Sequence, residues 1–250
     1  MSTTSSPENN NRTFVIDGLV NARDLGGLRR SNGRLTPYGV FYRSENIDLI
    51  TEPGWHKLKD SGIRTIIDLR QSSERATDTQ VRPNWLKVIH SDLDGIDNQV
   101  FWKPYLEKEL ESTSMYYTDH LKQMPERAEE VLDAIATAPE GGVLFHCKSG
   151  RDRTGLIALL LLSAIDTEPE EIVDDYLETV RLGEARGKRL GRENPEPGLD
   201  KLLQEHGTTT EDAFRKAVSE LEFSNFLRST HLSDFSIRSL RTWRGSIQDV

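Results

Sequence analysis

The sequence predicts an α/β fold, in which helices flank a mostly parallel central sheet. Two observations lead to this prediction. Short β-branched or apolar runs alternate with segments of helical periodicity, and a polar loop separates the apolar run 143–145 from a second apolar run, 154–165. Runs that are apolar at consecutive positions are typical of strands covered on both faces. We therefore expect one domain over residues 13–250, preceded by a disordered Ser/Thr/Asn-rich tail at residues 1–12.

The clearest predicted strand is the run 63–69, which follows Gly62 and is rich in isoleucine. The run ends in Asp68 and Leu69, and Arg70 follows it, so that polar side chains lie where the buried strand ends. The other predicted strands cover residues 14–16, 40–42, 85–90 and 143–145, and the first two are short enough to lie at a sheet edge.

Pro125 opens the first well-defined helix, because proline is favoured at the first helical position. Its apolar side chains recur at i, i+3, i+4 and i+7: Ala128, Val131, Leu132 and Ile135. Other helical patterns cover residues 102–123, 199–203, 210–221 and 233–243.

The apolar run 154–165 predicts a helix buried against the sheet, since a bilayer span would need about 20 residues. Thr167 and Glu170 predict a capping box for the next helix. That helix presents one apolar stripe, formed by Ile172, Val173, Tyr176, Leu177 and Val180. The Gly- and Pro-rich stretch 182–200 breaks the pattern and predicts a flexible excursion, which would be a lid if its basic side chains close over an anionic substrate.

Composition limits the classes of function. The 41 acidic and 32 basic residues give a formal net charge of -9, which disfavours general binding to nucleic acid or to an anionic membrane. The single cysteine excludes a disulfide framework and a multi-cysteine metal site, and it is typical of a reducing cytoplasm. Residues 1–12 lack the basic and apolar regions of a signal peptide, so we expect a cytoplasmic protein without stable membrane insertion.

Residues 146–153, which we call the phosphate loop, carry the chemistry. A loop between a strand and a helix N-terminus directs successive backbone N–H groups into one concavity, where the helix dipole favours an anion. This field and the nearby Arg153 should lower the pKa of Cys147 and produce an exposed thiolate nucleophile at neutral pH. Arg153 follows Cys147 by six positions, so a curled loop returns its planar guanidinium for bidentate contact with a phosphate.

The loop thus offers a soft nucleophile, donors for phosphate oxygens and an acid for the leaving group, which together can cleave a phosphate ester without a metal. Gly150 permits a close backbone approach or a positive φ, and Thr154 can place a hydroxyl near the sulfur. A P-loop nucleotide site is excluded because the loop has no Gly-Lys-Ser/Thr ending. A bare Cys-x5-Arg is a weak motif, and a lone cysteine after a strand is more often a small buried hydrophobe. The added His, Gly, Thr and Gly favour the catalytic interpretation.

The loop His146-Cys-Lys-Ser-Gly-Arg-Asp-Arg-Thr-Gly155 resembles the signature of the cysteine-dependent protein tyrosine phosphatase superfamily, Cys-x5-Arg-Ser/Thr. More narrowly, it is similar to the bacterial tyrosine/serine phosphatase family, whose loop reads His-Cys-x-x-Gly-Lys-Asp-Arg-Thr-Gly. The similarity extends to residues 21–27, 41–44 and 65–70 and to Glu74. The family implies a tyrosine phosphatase-like fold, a phosphocysteine intermediate on Cys147, Arg153 as phosphate clamp, and no cofactor or metal. Arg151 stands where the family usually has lysine.

The resemblance suggests roles for further residues. Substrate contacts are expected from Lys148, Ser149, Gly150, Arg151 and Thr154. Supporting roles around the loop are expected from His146, Asp92, Asp68, Arg70 and Arg23, although such charged residues are usually surface ion pairs. Asp152 is the leading candidate for the general acid, because members of the superfamily with aspartate just before the arginine use an acid within the loop. The alternative acids are Asp92, Asp94 and Asp97, which follow a predicted strand.

Three functions follow from these residues. The first is hydrolysis of phosphotyrosine, and of phosphoserine or phosphothreonine, in proteins. The second is hydrolysis of phosphoinositides, because Lys148 and Arg151 flank the nucleophile and resemble the basic pair of phosphoinositide phosphatases. The third is a phosphate-binding module without turnover, which the presence of every catalytic residue type disfavours. The expected partner is a phosphorylated protein or phosphoinositide substrate.

Overall fold

The computed structural model describes residues 12–248. Its sheet has five strands in the order β1-β2-β5-β3-β4. The strands are β1 (Arg23–Asp24), β2 (Phe41–Ser44), β3 (Ile63–Asp68), β4 (Lys87–His90) and β5 (Gly142–His146). Strand β1 pairs antiparallel with β2, and all other pairs are parallel. This mostly parallel sheet confirms the predicted fold class.

Helices surround the sheet. They are α1 (Glu52–Asp60), α2 (Ser72–Arg75), α3 (Gln99–Leu106), α4 (Tyr117–Gln123), α5 (Pro125–Ala136), α6 (Asp152–Ser163), α7 (Pro169–Arg181), α8 (Gly183–Arg189), α9 (Glu196–Glu205), α10 (Thr210–Glu220), α11 (Phe223–Arg228) and α12 (Asp234–Arg241). A short 3-10 helix, Ser114–Tyr116, directly precedes α4. The predicted helices at Pro125 and over 154–165, 199–203, 210–221 and 233–243 are confirmed, with bounds shifted by a few residues, whereas α1, α2 and α11 had not been predicted.

Both faces of the sheet are buried, which explains why its central strands are apolar at consecutive positions. On one face, Ile67 and Phe145 join the larger core with α5, α6 and α7. On the other face, Ile66 and Leu144 pack with residues of α1 and of the segment before β1. The seven residues from Leu156 to Leu162 are all buried, so α6 is a core helix, as predicted.

Two predicted elements are wrong. Residues 14–16 form no strand, because the chain turns at Gly18 with a φ of 105° and only Thr13 makes an isolated bridge, to Arg23. The predicted continuous helix over 102–123 is interrupted between α3 and the 3-10 helix, and Glu109 in this gap has a left-handed φ of 57°. A backbone in this region cannot continue a right-handed helix.

The capping box predicted at Thr167 and Glu170 is also wrong. Helix α7 begins at Pro169 with Glu168 as the N-cap residue, and Thr167 bridges Arg30 instead. Proline is preorganised for the first helical position, which places the start two residues after Thr167. The predicted apolar stripe is confirmed, since Ile172, Val173 and Tyr176 are buried and the rest of it packs partly buried against the core.

The stretch 182–200 is more ordered in structure than its composition predicted. It contains α8 and the first turn of α9, and Arg186 and Glu196 within it are buried. Ion pairs between distant residues, which composition does not reveal, fold this segment onto the domain. A lid motion of the stretch stays a prediction.

Arg12, which the sequence analysis placed in the tail, contacts the domain. It is buried and forms an ion pair with Asp175. Residues 1–11 lie outside the described part of the chain. Among residues 12–248, no helix is both long enough and apolar enough to cross a bilayer.

Candidate active site

The phosphate loop lies at the carboxyl end of β5, the central strand of the sheet, and leads directly into α6. Ligand sites of parallel sheets form at this edge, where loops leave the strand ends. Gly150 has a φ of 68°, and a Cβ atom there would come within 2.6 Å of the Ser44 carbonyl oxygen and 2.7 Å of the Glu45 nitrogen. Glycine is therefore the residue that fits this turn beside β2.

Cys147 lies at the floor of the loop and is 1% exposed. The expectation of an exposed thiolate is wrong in this respect, because the residue directly follows a fully buried strand and packs within the main core. Burial alone would suit an inert small hydrophobe. The surroundings are nevertheless not purely apolar, since the guanidinium of Arg153 lies close enough to interact electrostatically with the sulfur.

Arg153 lies in the first turn of α6, with 12% of its side chain exposed. Its guanidinium contacts both oxygens of Glu74, with an Nη2–Oε1 distance of 2.9 Å, and lies 3.2 Å from Asp94 Oδ2. Burial lowers the pKa of Arg153, but the hydrogen bond to Glu74 and the charges of Cys147, Asp94 and Glu74 raise it well above its ordinary value. Arg153 is thus a fixed cation whose planar fork is held from two sides.

Side chains beneath the phosphate loop hold its carbonyl groups from outside. Arg43 Nη2 donates to the Gly150 carbonyl at 2.8 Å. The Ser149 carbonyl accepts from Arg186 Nη1 at 3.0 Å and from Asn21 Nδ2 at 3.4 Å. In a trans peptide the N–H points opposite to the C=O. Because these carbonyls accept hydrogen bonds from outside the loop, the N–H groups of the same peptide units point toward the concave side of the loop, where they can bind an anion.

Asp175 is the centre of this support. Arg12, Arg23 and Arg43 all form ion pairs with its buried carboxylate, at 2.9 Å for Arg23 Nε and 2.6 Å for Arg43 Nη1. Burial would raise the pKa of Asp175, but the charges of Arg23, Arg43 and Arg12 lower it far below its usual value. The three arginines on one carboxylate leave surplus positive charge below the loop, which favours an anion above it.

Arg23 was expected to support the loop, with a surface ion pair as the alternative. Arg23 is 3% exposed and Arg43 is 1% exposed, so neither forms a surface ion pair. Burial and the charge of Arg43 lower the pKa of Arg23 to about 10, although Asp175 opposes this shift. Arg23 also donates to Asn21 Oδ1 at 2.6 Å and to Thr179 Oγ1 at 2.9 Å.

His146, Asp68 and Arg70 lie together on the other side of the loop. His146 Nδ1 is 3.1 Å from the Cys147 carbonyl, and Nε2 is 3.9 Å from Asp68 Oδ1. Burial lowers the pKa of His146 to about 4, so the ring is neutral at pH 7. Burial would raise the pKa of Asp68, but hydrogen bonds from Arg70 lower it to about 2. Arg70 also pairs with Asp48 at 2.7 Å, which ties the end of β3 to the loop that follows β2.

Arg151 and Lys148, both expected to contact substrate, differ in their surroundings. Lys148 is exposed. Arg151 is 2% exposed and donates to Glu196 Oε2 at 3.0 Å, to the Ser112 carbonyl at 2.7 Å and to Asp152 Oδ1 at 2.8 Å. Its guanidinium also lies 5.4 Å from the centre of the Tyr176 ring. Arg151 is therefore held by the protein itself, and its geometry does not support the expected substrate contact.

Substrate contacts of the remaining loop residues stay predictions. Ser149 and Gly150 are held through their carbonyls, as described above. The hydroxyl of Thr154 is buried at the start of α6 and has no hydrogen-bond partner within residues 12–248. The expected approach of this hydroxyl to the Cys147 sulfur stays a prediction.

Two acidic side chains lie at the phosphate loop: Asp152 belongs to it, and Asp94 comes from the segment after β4. Asp152 is 13% exposed in its side chain, and burial raises its pKa although Arg151 opposes the shift. Asp94 forms the ion pair with Arg153 and accepts from Gln71 Nε2 at 2.8 Å. Burial also raises the pKa of Asp94, against the charge of Arg153. A raised pKa is what a proton donor near neutral pH needs.

The other two acids of the Asp94 loop have different positions. Asp92 Oδ1 accepts from the backbone nitrogens of Asp94 and Gly95 at 3.1 Å and 3.3 Å, so it shapes the turn that presents Asp94. Asp97 is exposed. Among the alternatives named from the sequence, Asp94 is thus the carboxylate that pairs with Arg153.

Sequence reasoning missed Asp175, Glu196 and Gln71. A signal for Asp175 was present, because its helical phase places it on the apolar stripe of α7, three residues after Ile172 and next to Tyr176. A charged residue on a buried face needs a partner of opposite charge. Glu196 lies in a Pro-rich stretch without periodicity, where no comparable signal exists.

Residues 14–243 match the family model described as the tyrosine phosphatase family. A Cupriavidus necator protein named as a tyrosine-protein phosphatase is 31% identical over 172 residues, which cover 66% of this chain and 62% of that protein. The triple specificity protein phosphatase PtpB of Mycobacterium tuberculosis is 29% identical over 189 residues, covering 65% and 67%. A tyrosine-protein phosphatase of Nostoc commune is 30% identical over 142 residues, covering 56% and 48%.

The chain therefore spans about half to two thirds of the length of the curated relatives it matches. The crystal structure of TpbA from P. aeruginosa is 16% identical, with a TM-score of 0.34 over 82% of this chain and 86% of that one, which is too distant to support any detail of the site. The family model covers nearly the whole chain, including the phosphate loop and the strands on either side of it. The protein belongs to the tyrosine phosphatase family.

Proposed function

We propose that this protein hydrolyses phosphate monoesters through a phosphocysteine intermediate on Cys147, with phosphotyrosine in proteins as the main substrate and phosphoserine or phosphothreonine as further ones. One observation carries the proposal. Cys147 and Arg153 stand near the two ends of one loop and interact electrostatically, and the Ser149 and Gly150 carbonyls accept hydrogen bonds from outside the loop, which supports a single site where nucleophile, amide donors and guanidinium meet a phosphate.

In the first step, the Cys147 thiolate attacks phosphorus and forms an S–P bond while the bond from phosphorus to the ester oxygen breaks. A carboxylic acid donates its proton to the leaving oxygen, so the alcohol departs neutral. In the second step, water attacks phosphorus and loses a proton to the same carboxylate. The S–P bond then breaks, releasing inorganic phosphate and the thiolate. Arg153 and the amide N–H groups bind the equatorial oxygens in both steps.

Asp152 is our candidate for this acid, and Asp94 is the rival. On a substrate with a poor leaving group, such as phenyl phosphate, Asp152→Asn should lose about 10² to 10⁴-fold in kcat/KM, because the leaving oxygen then departs without a proton. On para-nitrophenyl phosphate, whose leaving group needs little protonation, the loss should be much smaller. The measurement is the ratio of the two losses.

Asp94→Asn is the matched variant, since it removes the other carboxylate that approaches the loop. It should lower turnover of both substrates by similar factors, because Arg153 loses one of its ion-pair partners and shifts. If Asp94→Asn instead shows the larger loss on the poor leaving group, the acid is Asp94 and the assignment of Asp152 fails.

Phosphoinositides rank below phosphotyrosine because of Arg151. A polyanionic head group would need the two cations beside the nucleophile, and Arg151 is committed to Glu196 and Ser112. Lys148 alone remains exposed. We also propose a cytoplasmic location, since a cysteine nucleophile requires a reducing compartment.

The substrate class is tested with the full chain, excess chelator, a panel of phosphotyrosine, phosphoserine and phosphothreonine peptides, and soluble inositol phosphates. We expect the highest kcat/KM on phosphotyrosine, because its ring carries the phosphate far enough from the peptide to reach a sulfur that is nearly inaccessible at the surface. Higher kcat/KM on inositol phosphates would favour the phosphoinositide function. If the protein binds phosphate but releases none from any of these substrates, the non-catalytic module is favoured.

A further inference from the structure

Glu196 occupies an unusual position for a residue in a Pro-rich segment. It is the first residue of α9, only 6% exposed, and each of its carboxylate oxygens accepts from a different arginine. Arg151 Nε donates to Oε2 at 3.0 Å, and Arg186 Nη2 donates to Oε1 at 2.6 Å. Burying a carboxylate is costly unless it is paired, so this pair of contacts accounts for its location.

Both arginines also contact residues of the phosphate loop, to which Arg151 itself belongs. Arg151 Nη1 donates to Asp152 Oδ1 at 2.8 Å, and Arg186 Nη1 donates to the Ser149 carbonyl at 3.0 Å. Glu196 therefore connects two arginines: Arg151, which belongs to the loop, and Arg186 of α8, which contacts the loop at Ser149. One of these cations, Arg151, is shared between two carboxylates, those of Glu196 and Asp152.

We propose that Glu196 is a positioning residue for the hydrolysis inferred above: it fixes Arg151 beside Asp152 and claims part of its charge, so that Asp152 remains a proton donor. This inference rests on the proposed function and extends it to a residue outside the phosphate loop. Without Glu196, Arg151 would stabilise the Asp152 carboxylate alone and make it a weaker donor.

The charges around Asp152 support this direction. Burial raises the pKa of Asp152, the charge and hydrogen bond of Arg151 lower it, Glu196 raises it and Arg153 lowers it. Three tyrosines also interact with Asp152, and because burial raises their own pKa values they are neutral near pH 7. They come from the 3-10 helix, α4 and α7 and are Tyr116, Tyr117 and Tyr176. The charged side chains of Lys148, Arg186, Arg192 and Glu193 line the same cavity as Asp152.

A cavity of about 260 Å³ lies between the phosphate loop and the 182–200 segment. Asp152, Arg151 and Arg186 line it, together with the exposed Glu193. Glu193 thus belongs to the same segment and faces the same cavity as Glu196's partners, but it is not the carboxylate that bonds to them. It offers a control in which one negative charge is removed nearby.

The test compares pH profiles of kcat/KM on phenyl phosphate for the wild type, Glu196→Gln and Glu193→Gln. A general acid must be protonated to act, so kcat/KM falls as the pH rises through its pKa. This fall is the alkaline limb of the pH profile. Removing the charge of Glu196 lowers the pKa of Asp152, so the limb should move to lower pH, with a loss of about tenfold at pH 7. On para-nitrophenyl phosphate the loss should be smaller, and Glu193→Gln should leave the limb in place.

Glu196→Asp keeps the charge and should return the limb toward its wild-type position, and thermal unfolding of each variant checks folding. An unmoved limb with equal losses on both substrates would make Glu196 a structural residue only and overturn the inference. An equal shift in Glu193→Gln would also overturn it, because the effect would then be one of general charge. Absence of any wild-type turnover would instead refute the proposed function. An alkaline limb that persists in Asp152→Asn would refute the assignment of Asp152 as the general acid, and with it the role of Glu196.

Discussion

Replacing Cys147 with serine is expected to reduce turnover of para-nitrophenyl phosphate by roughly 10⁴-fold or more, while the protein remains folded. A thiolate forms at accessible pH and attacks phosphorus, whereas a serine hydroxyl in the same place stays protonated and has no general base beside it. His146 is poorly placed to serve as that base, since Nδ1 lies 3.1 Å from the Cys147 carbonyl and Nε2 is directed toward Asp68 at 3.9 Å.

The measurement is steady-state hydrolysis with excess chelator, paired with rapid acid quenching of the wild type and mass analysis of the peptide that contains Cys147. A phosphate adduct should appear on Cys147 during turnover, and the chain offers no second cysteine to confuse the assignment. Thermal unfolding of Cys147→Ser controls for loss of fold. If Cys147 were only a small buried hydrophobe, the serine variant would retain its turnover, and the proposed mechanism would be refuted.

Replacing Arg153 with lysine should lower kcat/KM on phenyl phosphate by about 10² to 10³-fold, which is the typical cost of losing a transition-state donor. Lysine keeps the charge but is a single point donor, so it cannot make the bidentate contact that the planar guanidinium provides. It also cannot contact both oxygens of Glu74 while remaining near Asp94, as Arg153 does.

The matched control is Arg181→Lys, a conservative change at an arginine that is half exposed on α7 and pairs with Asp174 and Glu178. Its activity should equal that of the wild type, because an exposed ion pair contributes little. Affinity for vanadate should fall in Arg153→Lys and stay unchanged in the control. An Arg153→Lys variant that keeps wild-type kcat/KM would show that charge alone suffices and would contradict the clamp.

The spacing of Cys147 and Arg153, the strand before them and the buried helix after them could be predicted because all of these features are local. Arg153 follows Cys147 by six positions within one loop, and the periodicity of each flanking element is visible in about a dozen residues. The same reasoning failed at Thr167, where a proline two positions later determined the helix start.

The support of the loop could not be predicted in the same way. Arg23 and Asp175 are separated by 152 positions in the chain, and Arg151 and Glu196 by 45. Each of these residues, taken alone, is an ordinary charged residue that would usually lie on the surface. Only the folded chain shows that burial forces them to pair.

The amino-acid sequence by itself determined which residue is the candidate nucleophile, which guanidinium faces it and which fold carries them. The tertiary structure decided how deep the sulfur lies, that Arg151 donates to Glu196, and that Asp94 rather than Asp92 pairs with Arg153. The reason is that backbone preferences and apolar periodicity act over a few residues, whereas the burial of a charge depends on every segment that packs around it.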